Sequence, residues 1–222
     1  MNKREIDNTK KACEITDKIF KKCFGNIKNF KTEKEIYNFL VKKTKENKCK
    51  LAYKPIVANN NWIIHPKPRK YKLKEGFLII DFGVRYKGYC CDVTRTIYLG
   101  KPNKKDIKLY NLVLKIEKKA IENIKPNIEC SKFSKKHADL FKGYGKYFIH
   151  ALGHGVGKRI HQSPRISIKS KDIFKKNQVV TIEPGLYFKN KYGIRIEDTI
   201  LIKNKPIILT KTEKKLISIN LQ

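Results

Sequence analysis

The chain has 222 residues, 40% hydrophobic and 10% aromatic, which suits one packed domain and excludes a disordered chain. Lys and Arg number 52 against 20 Asp and Glu, a formal charge of +32, but the 45 lysines are scattered from end to end and only seven residues are arginine. That pattern favours compositional bias over a dedicated nucleic-acid surface, which clusters its charge and uses arginine forks. No run of 18 apolar residues marks a membrane span, and the N-terminus MNKREIDNTKKACEI lacks the apolar stretch of a signal peptide. Six cysteines without a CxxC pair argue against a disulfide framework or a thiolate zinc site. A soluble, reduced, cytoplasmic protein is expected.

Helical spacing runs from about residue 5 to 24 through Ile6, Cys13, Ile19, Phe20 and Cys23, and Gly25 closes it. Thr32-Glu33-Lys34-Glu35 has the form of a capping box. It opens a helix reaching about Asn47, with Ile36, Phe39, Leu40 and Lys43 on one side. Residues 77–80 read as a buried strand, and residues 89–98 as a second one beyond the Gly88 turn. Asn103 caps a helix over about 104–124, with Ile107, Leu109, Leu112, Val113, Ile116 and Ala120 inward and Pro126 beyond its end. A shorter helix at about 131–142 precedes Gly143. Residues 179–182 and 194–202 repeat the paired-strand pattern around Lys189-Asn190-Lys191, and a last strand lies at 206–210. The links between paired strands are too short for crossovers, so the pattern is α+β or α/β with antiparallel hairpins. No internal repeat is visible as sequence identity.

The acids carry the chemistry. In FLIIDFGVRYKGYCCDVTRTIYLG, a turn centred between Tyr86 and Lys87 places Asp81 opposite Asp92, with Cβ atoms about 4.5–5.5 Å apart. In VVTIEPGLYFKNKYGIRIEDTILI, Glu183 and Glu197 are symmetric about Asn190 and face each other in the same way. Two carboxylates at that distance repel unless a proton or cation sits between them. Two such pairs look like halves of one site, and four converging carboxylates call for roughly two divalent cations. The oxygen-rich set points to Mn, Fe or Co ahead of a structural zinc. Three of the five histidines, His150, His154 and His161, lie in HALGHGVGKRIH, beside glycines that permit close backbone approach. His65 precedes Pro66, and His137 reads as a surface residue on a lysine-rich helix. GHGVG matches neither phosphate-binding glycine pattern, and no nucleophile elbow surrounds Ser163.

At these residues the chain resembles the pita-bread metallopeptidases, the family of methionine aminopeptidases, Xaa-Pro aminopeptidases and prolidases. The resemblance spans about 51–202, with five separated motifs in the family's order. It implies the pita-bread fold: an α+β domain with a curved antiparallel sheet, pseudo-twofold symmetry and outer helices. It implies one catalytic domain over 1–222, with N-terminal helices in 1–50 and a metal-binding core in 51–210. Proline-specific members usually carry a further sizeable N-terminal domain, which is expected to be absent.

The resemblance also implies metal ligands: Asp81 and Asp92 from DFGVRYKGYCCDVTRT, His154 from GHGVG, Glu183 from EPGLY and Glu197 from RIED. Asp92 and Glu197 would bridge two divalent metal ions, with Mn, Co or Fe ahead of Zn. His65, His150, His161 and Arg195 fall where the prolidase branch handles substrate, and Tyr187 is expected on the pocket wall. TRT and EPGLY…GIRIED are more similar to the proline-specific branch than to the methionine branch. Two positions depart from the pattern, Ala58–Trp62 ahead of His65 and Gln162 after His161, and neither removes a ligand.

The expected activity is dimetal-dependent hydrolysis of the N-terminal peptide bond by a metal-bridging hydroxide, on peptides or N-termini with proline second. Glu183 would move the proton, and His161 and His65 would steady the carbonyl oxygen. Arg195 would orient Asp81 or grip a substrate carboxylate. The alternatives are a methionine aminopeptidase of the same fold and a non-catalytic basic relative that binds RNA or ribosomes.

Overall fold

Two β-hairpins, each interrupted in both arms, form the centre of the structure. The computed structural model describes residues 1–220. In the first hairpin Gly76–Asp81 pairs antiparallel with Thr94–Leu99, and the arms continue as Val84–Tyr86 and Tyr89–Cys90. In the second Val179–Ile182 pairs with Asp198–Leu201, and the arms continue as Gly185–Phe188 and Tyr192–Arg195. The inner arms are widened into larger sheets. Ile56–Asn59 and Ser218–Ile219 flank the first pair in a four-stranded sheet. Gly153–Gly155, Gln162–Ile166 and Ile207–Ile208 extend the second pair to five strands.

Two helices precede each hairpin: α1 (Lys3–Gly25) and α2 (Glu33–Glu46), then α3 (Lys104–Asn123) and α4 (Cys130–Ala138). The order helix, helix, broken hairpin therefore occurs twice, although no sequence identity betrays it. The pairings are antiparallel apart from the short Ser218–Ile219 edge, which settles the pattern as α+β.

Local chemistry explains the helix ends. Asn2 accepts from the Glu5 amide at 3.0 Å, and the Glu5 carboxylate accepts from the Asn2 amide at 2.9 Å. This capping box starts α1 two residues earlier than periodicity alone indicates. Thr32 caps α2 through the Glu35 amide at 3.2 Å, while Glu35 reaches back one residue further than expected, to the Lys31 amide. Asn103 caps α3 at the Asp106 amide, 2.9 Å away. The α1–α2 pair covers the first hairpin with Phe20, Ile19, Ile36 and Leu40 fully buried. Leu109, Val113 and Ile116 of α3 pack on the second.

The first hairpin's register differs from the sequence expectation. Lys87 and Gly88 both have positive φ, 44° and 86°, as a two-residue type I′ turn requires. The turn is thus centred between Lys87 and Gly88, so Asp81 lies opposite Thr94, not Asp92. The partner number changes by two, which preserves the face, because side chains alternate with period two. Asp92 sits between the Phe82–Val93 and Cys91–Val84 hydrogen bonds, across from Gly83. A Cβ on Gly83 would lie 1.9 Å from the Cys91 carbonyl oxygen, so only glycine fits there. The second hairpin has the expected register, with Gly185 opposite Arg195 and Phe188 opposite Tyr192.

Other expectations need correction. Residues 89–98 and 194–202 are each two short strands, broken around Asp92 and Glu197. The fourth helix stops being α-helical at Ala138 and continues as a 3₁₀ segment, Asp139–Tyr147. Ile107 is exposed, because the buried face of α3 runs through Asp106, Leu109, Tyr110 and Val113 and leaves it to one side. His137 is fully buried: its Nδ1 meets the Phe133 carbonyl at 2.8 Å and its ring packs on Phe133. The surface reading failed because the lysines beside it on α4 mark only the outer face.

Phe82, fully buried, packs edge-on against Phe20 of α1 with centroids 5.9 Å apart. Phe82→Ala should lower unfolding stability by about 3–5 kcal/mol in urea denaturation; a loss near zero would mean that α1 is not held through this contact.

Candidate metal centre

The breaks in the hairpin arms place the acids. Asp81 is the last residue of its strand, and Asp92, Glu183 and Glu197 lie in the interruptions themselves. The two hairpins meet there. The Glu197 amide donates to the Thr94 carbonyl at 3.1 Å, and the Thr94 hydroxyl donates to Glu197 Oε2 at 2.6 Å. The Asp92 amide donates to the Thr199 hydroxyl at 3.2 Å, and that hydroxyl donates to the Asp92 carbonyl at 2.6 Å. Arg95, 1% exposed, donates to the Thr94 and Glu197 carbonyls at 2.9 and 2.6 Å and to Asp198 at 2.7 Å. These bonds clamp the backbone of both halves, so the acid side chains converge at the hairpin breaks, with Asp81 still paired in its ladder to Ile56 and Thr94.

Three overlapping groups of donor atoms result. Asp81, Asp92 and Glu197 form one, His154, Glu183 and Glu197 a second, and Asp92, His154 and His161 a third; within each, the donor atoms lie within 4.8 Å of one another. The five residues expected as ligands are therefore brought together. His154 Nε2 lies 3.5 Å from both Asp92 Oδ2 and Glu183 Oε1. Its Nδ1 faces the Gly155 carbonyl at 3.1 Å, which places the proton there and leaves Nε2 free to bind a cation. The neighbouring glycines serve close packing: a Cβ on Gly153 would lie 2.1 Å from the Thr181 carbonyl oxygen. Thr181 in turn accepts from the His154 amide at 3.1 Å and donates to Glu183 at 3.4 Å.

The remaining site residues surround this cluster. Arg195 Nη2 donates to Asp81 Oδ2 at 2.5 Å and so orients it, and Arg195 also lines the first cavity. Tyr187 is not on the pocket wall, as expected, but 3% exposed behind it. It is packed among Ile56, Ala58 and Ile79, with its hydroxyl joining Arg195 at 2.7 Å and His150 at 3.0 Å. His65 and His161 are exposed and line the cavities over the cluster. The His161 ring stands edge-on to His154 at 4.3 Å. Tyr53 was missed in the sequence: its hydroxyl lies 2.5 Å from Asp92 Oδ1 and also contacts Asp81. A lone tyrosine in LAYKP carries no signal for that role, and only the tertiary fold supplies it.

The electrostatics fit cations. Burial, then neighbouring acids, pushes the carboxyls of Asp92, Glu183 and Glu197 well above the usual range. Burial also pushes His154 down to about 4 and His150 down to about 3, so both are neutral near pH 7. Among the described residues Arg195 is the one Lys or Arg paired with any of the four acids. Carboxylates with a neutral imidazole are the donor set for divalent ions, and such ions would replace the protons that these acids otherwise keep.

Two cavities, about 530 and 560 Å³, open onto the cluster and share His65, His154, His161 and Glu183. A twofold α+β core with acids at the broken strands is the pita-bread fold of metal-dependent hydrolases. Residues 7–204 match metallopeptidase family M24, and the chain belongs to that family. It is 40% identical to a Xaa-Pro dipeptidase of Pyrococcus furiosus, over 97% of this chain and 64% of that relative. It is 39% identical to one of Pyrococcus horikoshii, with the same coverage. The chain thus spans about 64% of the length of these curated relatives. Among solved structures, a prolidase from Thermococcus sibiricus superposes with a TM-score of 0.93 at 36% identity, covering 98% of this chain and 61% of that one. An X-Pro aminopeptidase from Thermotoga maritima gives 0.93 at 30% identity, covering 99% and 64%.

Raised carboxyl pKa values mean that the folded, cation-free protein holds protons which the unfolded chain has already released. Its stability is then full below the usual carboxylate range and falls as pH rises towards the raised values. Burial of neutral His150 and His154 acts in the opposite sense below the usual imidazole range, so the fall emerges above it: chelator-treated protein should show a Tm that drops between about pH 7 and pH 8, and a divalent cation should restore it. A cation-free Tm that climbs across that window would contradict the buried cluster.

Proposed function

We propose that this chain is a dimetal hydrolase releasing the residue that precedes proline at a peptide N-terminus, as a Xaa-Pro dipeptidase or aminopeptidase. The supporting observation is the single cluster of Asp81, Asp92, His154, Glu183 and Glu197 under the shared wall of two cavities. These five residues would hold two divalent ions, with Mn, Co or Fe favoured by the oxygen-rich set and Asp92 and Glu197 shared between them. Bound there, the ions would lower the pKa of water and polarise the scissile carbonyl. Residues 51–210 would form the catalytic core, with the first two helices outside it.

The chain's own groups then divide the work. Glu183, on the wall shared by both cavities, takes a proton from the attacking water and delivers it to the leaving proline nitrogen. His161 and His65, on the cavity wall, donate to the carbonyl oxygen as charge gathers there. Arg195 holds Asp81 in place through a short ion pair, and Tyr187 fixes Arg195 from behind. His150, neutral and bonded to the Ala151 carbonyl at 2.8 Å, completes that support. The proline-specific reading ranks above methionine removal because of TRT and EPGLY…GIRIED and because the matched relatives bear Xaa-Pro names.

Purified protein supplied with Mn2+ or Co2+ should release free amino acid from Leu-Pro and Met-Pro, and much less from Met-Ala-Ser. Reversal of that order would favour the methionine reading. Strong RNA binding at physiological salt without bound metal would favour the binding-module reading. Glu183→Gln should lower kcat by about 100-fold or more with the fold intact by circular dichroism, and Asp92→Ala should abolish retention of metal in elemental analysis.

A further inference from the structure

The two cavities over the acid cluster differ in charge. The first is lined by Lys34, Lys54 and Lys67 along its outer wall, with all four convergent acids at its floor. The second has no lysine on its wall, although lysine is the commonest charged residue of the chain; its cation is Arg165, beside the shared histidines, and Asp172 lies on the same wall with its carboxylate accepting from the Arg165 amide and the Ser163 hydroxyl. Among the described residues none of the three lysines has a carboxylate partner. Lys34 is held over the Tyr37 ring at 4.4 Å, and Tyr37 lines the same cavity. Lys67 and His65 lie on a segment fastened just beyond them. Arg69 forms a forked ion pair with the buried Glu33, with Nη2 2.6 Å from Glu33 Oε1, and that carboxylate also accepts from the Arg69 amide at 2.6 Å and the Asn59 amide at 2.7 Å. Lys34 and Lys67 are therefore mounted on one fixed support.

A bound Xaa-Pro peptide has a positive amino end and, when short, a negative carboxyl end. The proline carboxylate suits Arg165 in the second cavity, which leaves the first residue to the first cavity, beyond the shared Glu183 and histidines. The first residue's side chain then points among Lys34, Lys54 and Lys67.

We propose that this wall recognises a carboxylate on the first residue, so that Glu-Pro and Asp-Pro are preferred substrates over their amides. This rests on the Xaa-Pro reading above and names its substrate class. Each unpaired, part-exposed lysine adds a modest attraction, and the set would weaken with salt because the wall is open to solvent.

The test compares Glu-Pro with the isosteric Gln-Pro. In Mn2+-loaded protein at low salt, kcat/KM should favour Glu-Pro by about fivefold or more, and the ratio should fall towards one in the Lys34→Gln, Lys54→Gln, Lys67→Gln triple variant. A control triple variant, Lys115→Gln, Lys118→Gln, Lys119→Gln on the outer face of α3, should retain the ratio. Binding of both dipeptides to the Mn2+-loaded Glu183→Gln chain, read by calorimetry, gives the same ratio without turnover. Cleavage of Leu-Pro with no Glu/Gln preference overturns the proposal and leaves the Xaa-Pro reading intact. No cleavage of any Xaa-Pro peptide ends that reading, and the calorimetric ratio still decides the lysine wall. Equal loss of the ratio in the control variant assigns it to bulk charge and overturns the proposal. So does a lysine dependence confined to Leu-Pro against its C-terminal amide, which would place the proline carboxylate on that wall.

Discussion

Four carboxylates gathered in one low-polarity place repel each other and resist ionisation, and everything else at the centre of this protein answers that constraint. Burial, and then the neighbouring acids, raises the carboxyls of Asp92, Glu183 and Glu197 well above their usual range. A single guanidinium, Arg195, meets one of the four acids. The arrangement is coherent only if mobile positive charge completes it, and the neutral Nε2 of His154 turned towards two of the acids suits the same guest. Strain of this kind is tolerated at sites that do chemistry, where charged groups are held ready at the cost of local stability.

The backbone sustains the crowding by withholding Asp92, Glu183 and Glu197 from the strands of the two hairpins. Each hairpin breaks where an acid stands, and a seam of threonines, Thr94, Thr181 and Thr199, takes over the hydrogen bonds which the strands give up. Behind the seam, Arg95 ties the carbonyls of Thr94 and Glu197 to Asp198 and to the C-terminal stretch at Thr212. Lys214 closes the same buried network on Glu117 and Asp198, at 2.7 and 2.5 Å. Removing one member of such a set would leave a buried charge unmatched, which is more damaging than the pair is stabilising. Thr212 and Lys214 therefore support the second acid motif from beyond the strand that follows it.

Much of the site was legible because its residues break the rules of their surroundings. Asp81 and Glu183 end apolar strands, where a lone acid is out of place, and the symmetric spacing of Glu183 and Glu197 about Asn190 gave their true pairing. The Asp81–Asp92 pairing was misread by one turn position, since a type I′ turn needs positive φ at both central residues and therefore settles on Lys87-Gly88. The shift kept both acids on one face only because it changed the partner by an even number. His137 and Ile107 were misjudged for a common reason: helical spacing tells which residues share a face, not which face meets a neighbour.

The amino-acid order by itself determined the helix caps, the hairpin pattern and the four candidate acid ligands, because those depend on residues close together in the chain or on residue types that cannot be buried without a partner; the choice of His154 among three histidines came from the family resemblance. The tertiary structure alone decided that Tyr53 joins Asp81 and Asp92, that Tyr187 stands behind the cavity, and that Arg95 binds the two halves at their seam. It also decided that lysines from α2 and two loops share one chamber while the other has none. Such contacts join residues far apart in the chain, and they exist only once the two broken hairpins have closed on each other; no local spacing encodes that closure.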